Sequence, residues 1–163
     1  MLSAERAKYL LSYDAESGVI KWNVNKGSRV KAGDTAGYFD KSNGYVLTRV
    51  DRKKYYNHRL AWLLTYGEWP IDEIDHINGD RTDNRIVNLR PVTRSENLKN
   101  SRMSKYNSSG ITGVRWGKRD RAWLVSVSTK HVGYYKDFFE ACCARKSSER
   151  EHGYHANHGR RIG

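Results

Sequence analysis

The sequence predicts an α+β fold built from small antiparallel sheets, each leading into a helix. Short runs of alternating apolar and polar residues are separated by turn-forming residues, and helical periodicity appears in only a few segments. No apolar run approaches the ~20 residues that a membrane span needs, and the N-terminus lacks the pattern of a signal peptide. With 163 residues, 37% of them hydrophobic, the chain can bury the core of one domain or two small ones, which excludes a disordered basic tail.

The first part of the chain is predicted to form a small antiparallel sheet followed by one helix. Residues 13–22 predict a hairpin, and residues 37–40 and 45–51 flank an Asn-Gly turn. A further turn at residues 51–54 leads into Tyr55 and Tyr56. Residues 58–66 then place leucines at helical spacing.

The middle of the chain predicts the order strand, loop, strand, helix. Residues 71–77 and 87–92 are extended segments, and Thr93 with Glu96 forms a capping box that begins a helix. The following segment, 100–110, is rich in Ser and Asn and has no periodicity, so it is predicted to be a linker.

After the linker, three short strands are predicted over residues 112–116, 122–128 and 132–135, with a break at Lys130-His131. A last helix follows Asp137, its expected N-cap. The tail from residue 154 onward is predicted to fray. The apolar side of the helix is expected to consist of Phe138, Phe139, Ala141, Cys142 and Ala144.

The charge is strongly positive and unevenly distributed. The formal net charge is +12, of which residues 1–93 contribute +3 and residues 94–163 contribute +9. Such a surplus on a folded protein indicates a polyanionic partner, most often nucleic acid, although solubility accounts for part of it. The adjacent Cys142 and Cys143 predict neither a disulfide framework nor a cysteine zinc site, and an intracellular protein is expected.

One segment reverses this charge balance. Six carboxylates lie between residues 68 and 83, with Arg81 as the only basic residue among them. A divalent-cation site facing phosphate needs such an acidic pocket, whereas a solvated acidic loop is the simpler interpretation of the charge alone. The six are Glu68, Asp72, Glu73, Asp75, Asp80 and Asp83.

The residues with the clearest chemical pattern lie in this region. Asp75-His76-Ile77-Asn78-Gly79-Asp80 is followed by Asn84, Asn88-Leu89-Arg90 and Ser95-Glu96-Asn97. The segment from residue 71 to 100 resembles the HNH endonuclease motif in both its residues and its order of elements. This resemblance implies a ββα-metal fold with a histidine general base and a divalent metal ion.

Matched to the motif, His76 is the general base, and Asn88 holds the loop and orients His76. Asp75 and Asn97 hold the metal ion. A histidine can accept a proton at neutral pH, and oxygen ligands suit Mg²⁺, with Mn²⁺ possible, better than Zn²⁺. Adjacent residues of a strand point to opposite faces, so Asp75 and His76 can address one phosphate only if the strand ends or twists there, which the resemblance implies.

Simpler interpretations exist for single residues. A histidine beside an aspartate is often a structural hydrogen-bonded pair, and Asn78 and Asn84 suit turns. His58 is expected to have no catalytic role at the start of its helix. The pattern HxxHxxH at His152, His155 and His158 lacks a cysteine or carboxylate at ligand spacing, which argues against a metal site.

The C-terminal part resembles the DNA-binding domain of plant ethylene-response factors. The segments that carry this resemblance are Gly113-Val114-Arg115-Trp116, Arg121 to Val127, His131 to Tyr135 and Phe138 to Cys142. The resemblance implies a three-stranded sheet packed on one helix, with the sheet in the DNA major groove. The Ala-Cys-Cys-Ala helix departs from that family's usual alanine-rich sequence, and one of Trp116 and Trp123 is expected to fill the core.

The whole chain resembles a phage or intron-encoded HNH homing endonuclease that hydrolyses double-stranded DNA as a monomer or homodimer. The expected nuclease module spans residues 1–100, with hairpins over 1–57, a helix over 58–67 and the motif over 71–100; a linker over 101–110 precedes a DNA-binding module over 111–163. The DNA contacts expected are Arg59, Arg81, Arg85, Arg90, Arg94, Lys99, Arg115, Trp116, Lys118, Arg119, Arg121 and Trp123.

Two alternatives remain open at this point. The first is a non-catalytic DNA-binding regulator with a degenerate HNH fold, and the second is an RNA-binding protein. If the resemblance holds, the protein acts in the cytoplasm of a bacterial host.

Overall fold

A computed structural model of the chain describes residues 1–160. The fold is α+β, as predicted, and divides into a first compact unit, Met1–Asn97, and a second that begins at Leu98. No helix within residues 1–160 is long and apolar enough to cross a membrane.

The first unit opens with a helix that the sequence analysis did not predict. Ser3 caps it, because its side-chain oxygen accepts a hydrogen bond from the Arg6 backbone N–H, and Glu5 lies in the first turn. The helix and the strands after it are α1 (Ala4–Leu10), β1 (Leu11–Tyr13), β2 (Ile20–Trp22), β3 (Tyr38–Asp40), β4 (Tyr45–Val50), β5 (Lys53–Tyr56) and α2 (Asn57–Tyr66).

The predicted hairpins are present. Strands β1 and β2 pair antiparallel, and β3, β4 and β5 form a three-stranded antiparallel sheet with β4 at its centre. The turn between β4 and β5 is shorter than predicted, because only Asp51 and Arg52 have positive φ and Lys53 already belongs to β5.

The predicted strand, loop, strand and helix follow α2. They are β6 (Glu73–His76), a 3-10 turn (Ile86–Asn88), β7 (Leu89–Val92) and α3 (Arg94–Leu98), with β6 and β7 antiparallel. The capping box forms as predicted: the Thr93 backbone N–H donates to Glu96 Oε2, and the Glu96 N–H donates to Thr93 Oγ1.

Helix α2 packs on the N-terminal hairpins with one side and on the β6–β7 pair with another. Leu60 and Leu63 belong to a buried cluster with residues of α1, β1, β2 and β4, whereas Ala61 packs with Ile74 and Leu89 of β6 and β7. Burial of these apolar side chains therefore fixes β6, the strand that ends at His76, relative to the N-terminal sheet.

The second unit is a three-stranded antiparallel sheet packed on one helix, as predicted. Its elements are β8 (Val114–Gly117), β9 (Ala122–Val127), β10 (Lys130–Tyr135) and α4 (Phe138–Glu151). Strand β10 begins at Lys130, so the predicted break at Lys130-His131 is instead an irregularity of register between His131 and Gly133. Asp137 caps α4 as predicted, accepting from the Glu140 N–H.

The buried side of α4 differs from the prediction. Ala141 is fully buried against Val114 and Val125, but Phe139 is 74% exposed. Further along the helix, Arg145 and Glu149 are buried instead and form an ion pair with Nε and Oε1 2.8 Å apart. The guanidinium also contacts the Ser126 carbonyl and the His158 imidazole, so polar contacts replace the expected apolar packing.

The segment predicted as a linker lies inside the second unit and pairs with the tail that was predicted to fray. The Gly159 N–H donates to the Ser101 carbonyl at 2.9 Å, and the Met103 N–H donates to the Arg160 carbonyl at 3.1 Å. Upstream, the His155 N–H donates to the Lys99 carbonyl. The rest of the predicted tail, residues 161–163, lies outside the described residues.

Candidate active site

Asp75 and His76 are the last two residues of β6, and both are buried. Asp75 lies opposite Arg90 of β7, whose Nε and Nη2 donate to Asp75 Oδ2 at 3.1 and 2.9 Å. His76 contacts a different set of residues, as the alternation of a strand requires. The strand ends at His76, which is the position where the sequence analysis expected an end or a twist.

The imidazole of His76 is 3% exposed and lies next to the side chain of Asn84, with 3.4 Å between His76 Nε2 and Asn84 Oδ1. The Asn84 Nδ2 donates to the Thr82 carbonyl, so the amide oxygen is the atom turned toward the ring. Burial lowers the pKa of His76 below its usual value, and the bond to Asn84 opposes this shift. His76 is therefore neutral at pH 7.

The N-terminal hairpin determines the position of Asn84. The Tyr13 hydroxyl donates to the Asn84 carbonyl at 2.8 Å, and burial raises the pKa of Tyr13 to about 12. Gly18, in the hairpin turn, has φ +73°, and a Cβ at this position would lie 2.6 Å from the Arg85 backbone nitrogen. A side chain at position 18 would therefore push away the loop that carries Asn84.

Asn88 closes the loop after β6. Its Oδ1 accepts from the Asn78 N–H at 2.9 Å, and its Nδ2 donates to the Asp83 carbonyl at 2.8 Å. Asp83 in turn forms an ion pair with Arg85, which is the main reason its pKa falls to about 2. Asn88 thus acts on the shape of the loop, while the contact to the His76 imidazole comes from Asn84, a residue that the sequence analysis took for a turn former.

Asn97 contacts β6 through Glu73, which the sequence analysis did not name as a metal ligand. Its Nδ2 donates to Glu73 Oε2 at 2.6 Å, which leaves the amide oxygen as the atom able to bind a cation. Glu73 and Asp75 are two residues apart on one strand and share a face of β6. Glu73 therefore joins Asp75 and Asn97 as a candidate oxygen ligand.

These residues fit a hard divalent cation. Within residues 1–160 no group of three or more His, Cys, Asp and Glu side chains is arranged to hold a metal ion. Mg²⁺ needs fewer protein ligands, because it is bound by one or two carboxylates and completes its shell with water and substrate phosphate. Glu73 and Asp75, with the amide oxygen of Asn97, supply donors of this kind.

His58, in the first turn of α2, was expected to have no catalytic role, and the structure brings its ring to the site. Its ring centroid is 5.0 Å from that of His76, at a near-perpendicular angle of 79°. Tyr45 and Tyr56 enclose it with centroids 5.1 and 5.4 Å away. Burial, followed by the nearby His76, lowers the pKa of His58 to about 3.

Four of the five predicted DNA-contacting arginines of the first unit have partners within the protein. Arg59 donates to the Pro70 and Asp72 carbonyls, and Arg81 donates to the Asn43 carbonyl and lies over the Tyr45 ring. Arg85 and Arg90 form the ion pairs with Asp83 and Asp75. Arg94 is exposed, and in the second unit the half-buried Lys99 donates to the His152 carbonyl.

The residues expected to contact DNA in the second unit do not share one face of the sheet. Arg115 is paired with Leu124 and Trp116 with Trp123, so alternation places Arg115 and Trp116 on opposite faces. Trp123 packs on the Val114 cluster and on Phe138, whereas Trp116 is 47% exposed. The exposed cations Lys118, Arg119 and Arg121 lie in the β8–β9 turn.

The three tail histidines have separate contacts. His152 Nδ1 lies 2.9 Å from the Ser148 carbonyl, His155 Nδ1 accepts from the Asn157 N–H, and His158 Nε2 contacts Arg145. These contacts hold the end of α4 and the tail.

Comparison with known proteins finds a family match that includes the strand, loop, strand and helix around His76. Residues 55–99 match the family model described as HNH endonuclease. The chain is also 31% identical over 87 residues to Protein 3.8 of Escherichia phage T7, an alignment that covers 50% of this chain and 72% of that protein. No solved structure matches the chain.

The matched residues include β5, α2 and the strand, loop, strand and helix around His76. The chain belongs to the HNH endonuclease family.

Proposed function

We propose that the protein is a metal-dependent endonuclease that hydrolyses phosphodiester bonds of double-stranded DNA, with His76 as the general base. The main support is the environment of His76: a buried, neutral imidazole lies beside Asn84 at the end of the strand that also carries Glu73 and Asp75. A neutral imidazole can take a proton from water at pH 7, and membership of the HNH family favours this chemistry over a structural role.

Asn84 lies in position to orient the His76 imidazole. Its amide oxygen is 3.4 Å from Nε2 and favours the tautomer in which Nε2 carries the hydrogen. Asn88 supports this geometry indirectly by holding the loop between β6 and β7.

Asp75 and Asn97, with Glu73, would hold a divalent cation, Mg²⁺ or Mn²⁺. When bound, such an ion stabilises negative charge on the scissile phosphate and on the leaving 3′ oxygen. Arg90 balances the charge of Asp75 through the two bonds to its Oδ2.

We further propose that the second unit binds DNA through its sheet and the cationic β8–β9 turn, and that the protein is a site-specific enzyme of the homing type. The four exposed cations Arg115, Lys118, Arg119 and Arg121 support this assignment because clustered Lys and Arg side chains bind phosphate. One active site per chain favours nicking by a monomer, and cutting of both strands would require a dimer.

The test is relaxation of supercoiled phage DNA in Mg²⁺, with EDTA as the negative control. Loss of the general base in His76→Ala should lower the cutting rate by about 10²–10⁴-fold, while binding measured in EDTA stays unchanged. His152→Ala, which removes an exposed imidazole far along the sequence in the second unit, is the matched control and should cut normally.

The alternatives predict other outcomes. Wild-type protein that binds duplex DNA but relaxes none in Mg²⁺ or Mn²⁺ would be a non-catalytic DNA-binding protein. Tighter binding to RNA than to duplex DNA, without metal-dependent cutting, would identify an RNA-binding protein.

A further inference from the structure

The outward face of the β3–β4–β5 sheet carries aromatic and basic side chains that the sequence analysis did not assign to any function. Tyr38 and Tyr56 both pair with Leu47, one on each side, so alternation places all three on one face. Tyr38 is 45% exposed and Tyr56 is 38% exposed, whereas the Leu47 between them is 6% exposed. The two rings thus form an open aromatic row across the sheet.

The opposite face of this sheet is the buried one. Val50 of β4 is 0% exposed and belongs to the apolar cluster of the first unit, and Thr48 is 1% exposed and bonds to Asn57. The apolar core of the first unit therefore packs on the face of Thr48 and Val50. On the other face Tyr56 stacks on His58, but Tyr38 and part of the Tyr56 ring remain exposed.

Two cations lie next to the aromatic row on the same face. Arg49 and Lys54 are direct cross-strand partners, and both are exposed. Like charges directly opposite each other destabilise a sheet. Within residues 1–160 neither side chain forms an ion pair, and the Arg49 Nε donates only weakly, at 3.4 Å, to the Arg52 carbonyl. The carboxylate of Asp40 acts on Lys54 electrostatically, and a polyanion on this face would reduce the remaining repulsion.

The same face continues to the candidate active site. Tyr45, two residues before Leu47, contacts Tyr56 with centroids 5.1 Å apart and His76 with centroids 5.9 Å apart. The acidic residue paired with Tyr45 is Asp40, whose carboxylate accepts from Ser42 and Asn43. Tyr45 therefore connects Tyr56, on the face that also carries the basic pair, to the proposed general base.

We infer that this face, defined by Tyr38, Arg49, Lys54 and Tyr56, binds the phosphate backbone of duplex DNA next to the segment that reaches His76. The inference rests on the proposed function in that it takes DNA as the substrate. Lys and Arg would contact phosphates, and tyrosine rings would pack against sugars, the contacts that set register and orientation in protein–DNA complexes.

The test compares two double variants of the full chain, Arg49→Gln/Lys54→Gln and Lys8→Gln/Lys31→Gln. Each removes two exposed cations from the first unit, so the net charge is matched. Affinity for duplex DNA is measured in EDTA as a function of salt. Because each phosphate contact contributes about 0.9 to the slope of log K against log salt, the first variant should flatten the slope by about 2 and the control should not.

A second pair of variants, each replacing one tyrosine, tests the aromatic side chains of the surface. Tyr38→Ser should raise the Kd for duplex DNA by roughly fivefold, whereas Tyr9→Ser, which removes an exposed tyrosine of α1, should leave it unchanged. Melting temperatures identify unfolded variants, and Arg49→Gln/Lys54→Gln should melt no lower than wild type because it removes a like-charge pair.

Equal slopes for the two double variants, with both proteins folded, would overturn the inference, as would a loss confined to duplex RNA. Failure of the proposed function gives a different result. If wild type never relaxes DNA but the slopes differ as expected, the catalytic proposal is wrong and the binding surface stands.

Discussion

The rings of His58 and His76 meet edge to face, with centroids 5.0 Å apart, in the interior of the first unit. One ring comes from the first turn of α2 and the other from the end of β6. Two imidazoles at this distance cannot both be charged without strong repulsion, and burial already lowers the pKa of each. Burial therefore favours the neutral form of both rings in the folded protein.

The first prediction concerns acid stability. The pKa of His58 is about 3 in the folded protein, against 6.5 as its ordinary value. Below pH 6.5 the unfolded chain takes up a proton that the folded chain does not, so His58 makes stability fall as pH falls from 6.5 toward 3. Between pH 7 and pH 5, His58→Gln should lose about 2 kcal/mol less unfolding free energy than wild type, measured by urea denaturation.

The control for that experiment is His152→Gln, which changes an exposed histidine. It should retain the wild-type pH dependence. If His58→Gln also followed the wild-type curve, His58 would not be held neutral by the fold.

The second prediction concerns Glu73. Because the Asn97 amide donates to Glu73 Oε2, Glu73→Ala should release Asn97 and remove one candidate carboxylate. We expect the Mg²⁺ concentration for half-maximal DNA cutting to rise by about tenfold or more, with DNA affinity in EDTA unchanged. Glu68→Ala removes an exposed carboxylate from the same acidic segment and serves as the control. An identical Mg²⁺ requirement in both variants would exclude Glu73 from the metal site.

The third prediction compares two glycines with the same backbone conformation. Gly18 and Gly27 have φ of +73° and +70°, so a side chain costs similar strain at either position. Only at Gly18 would the new Cβ meet backbone, 2.6 Å from the Arg85 nitrogen, while nothing lies within 4 Å of the corresponding position at Gly27.

Gly18→Ala should therefore lose at least about 1 kcal/mol more stability than Gly27→Ala in chemical denaturation. It should also slow DNA cutting, because the displaced loop carries Asn84. Equal losses in the two variants would mean that the hairpin turn does not position this loop.

Local sequence signals predicted most of the fold. The turn at Asn43-Gly44 and the capping box of Thr93 and Glu96 depend only on residues close together in the sequence, and both are present. Helix α1 was missed because its sequence is short and weakly periodic, although Ser3 is a good N-cap. The buried side of α4 was wrong because Arg145 is buried by tertiary contacts with Glu149 and Ser126, which local periodicity does not encode.

The residues proposed for the site came in part from the sequence. The resemblance of residues 71–100 to the HNH motif singled out Asp75, His76, Asn88 and Asn97. The contact of His58 with His76 depends on the packing of α2 against β6, and the bond of Asn97 to Glu73 depends on the position of α3. Neither arrangement can be derived from the sequence alone. A signal for Asn84 was present in its place among the asparagines of the loop, but turn chemistry explained it equally well.

The backbone bonds between the Lys99–Met103 segment and the His155–Arg160 segment bring the two ends of the second unit together. A unit whose first and last segments lie side by side can be handled as one insertable piece of chain. It can be transferred to another polypeptide, fused at a single junction or inserted into a surface loop, without opening its own sheet and helix.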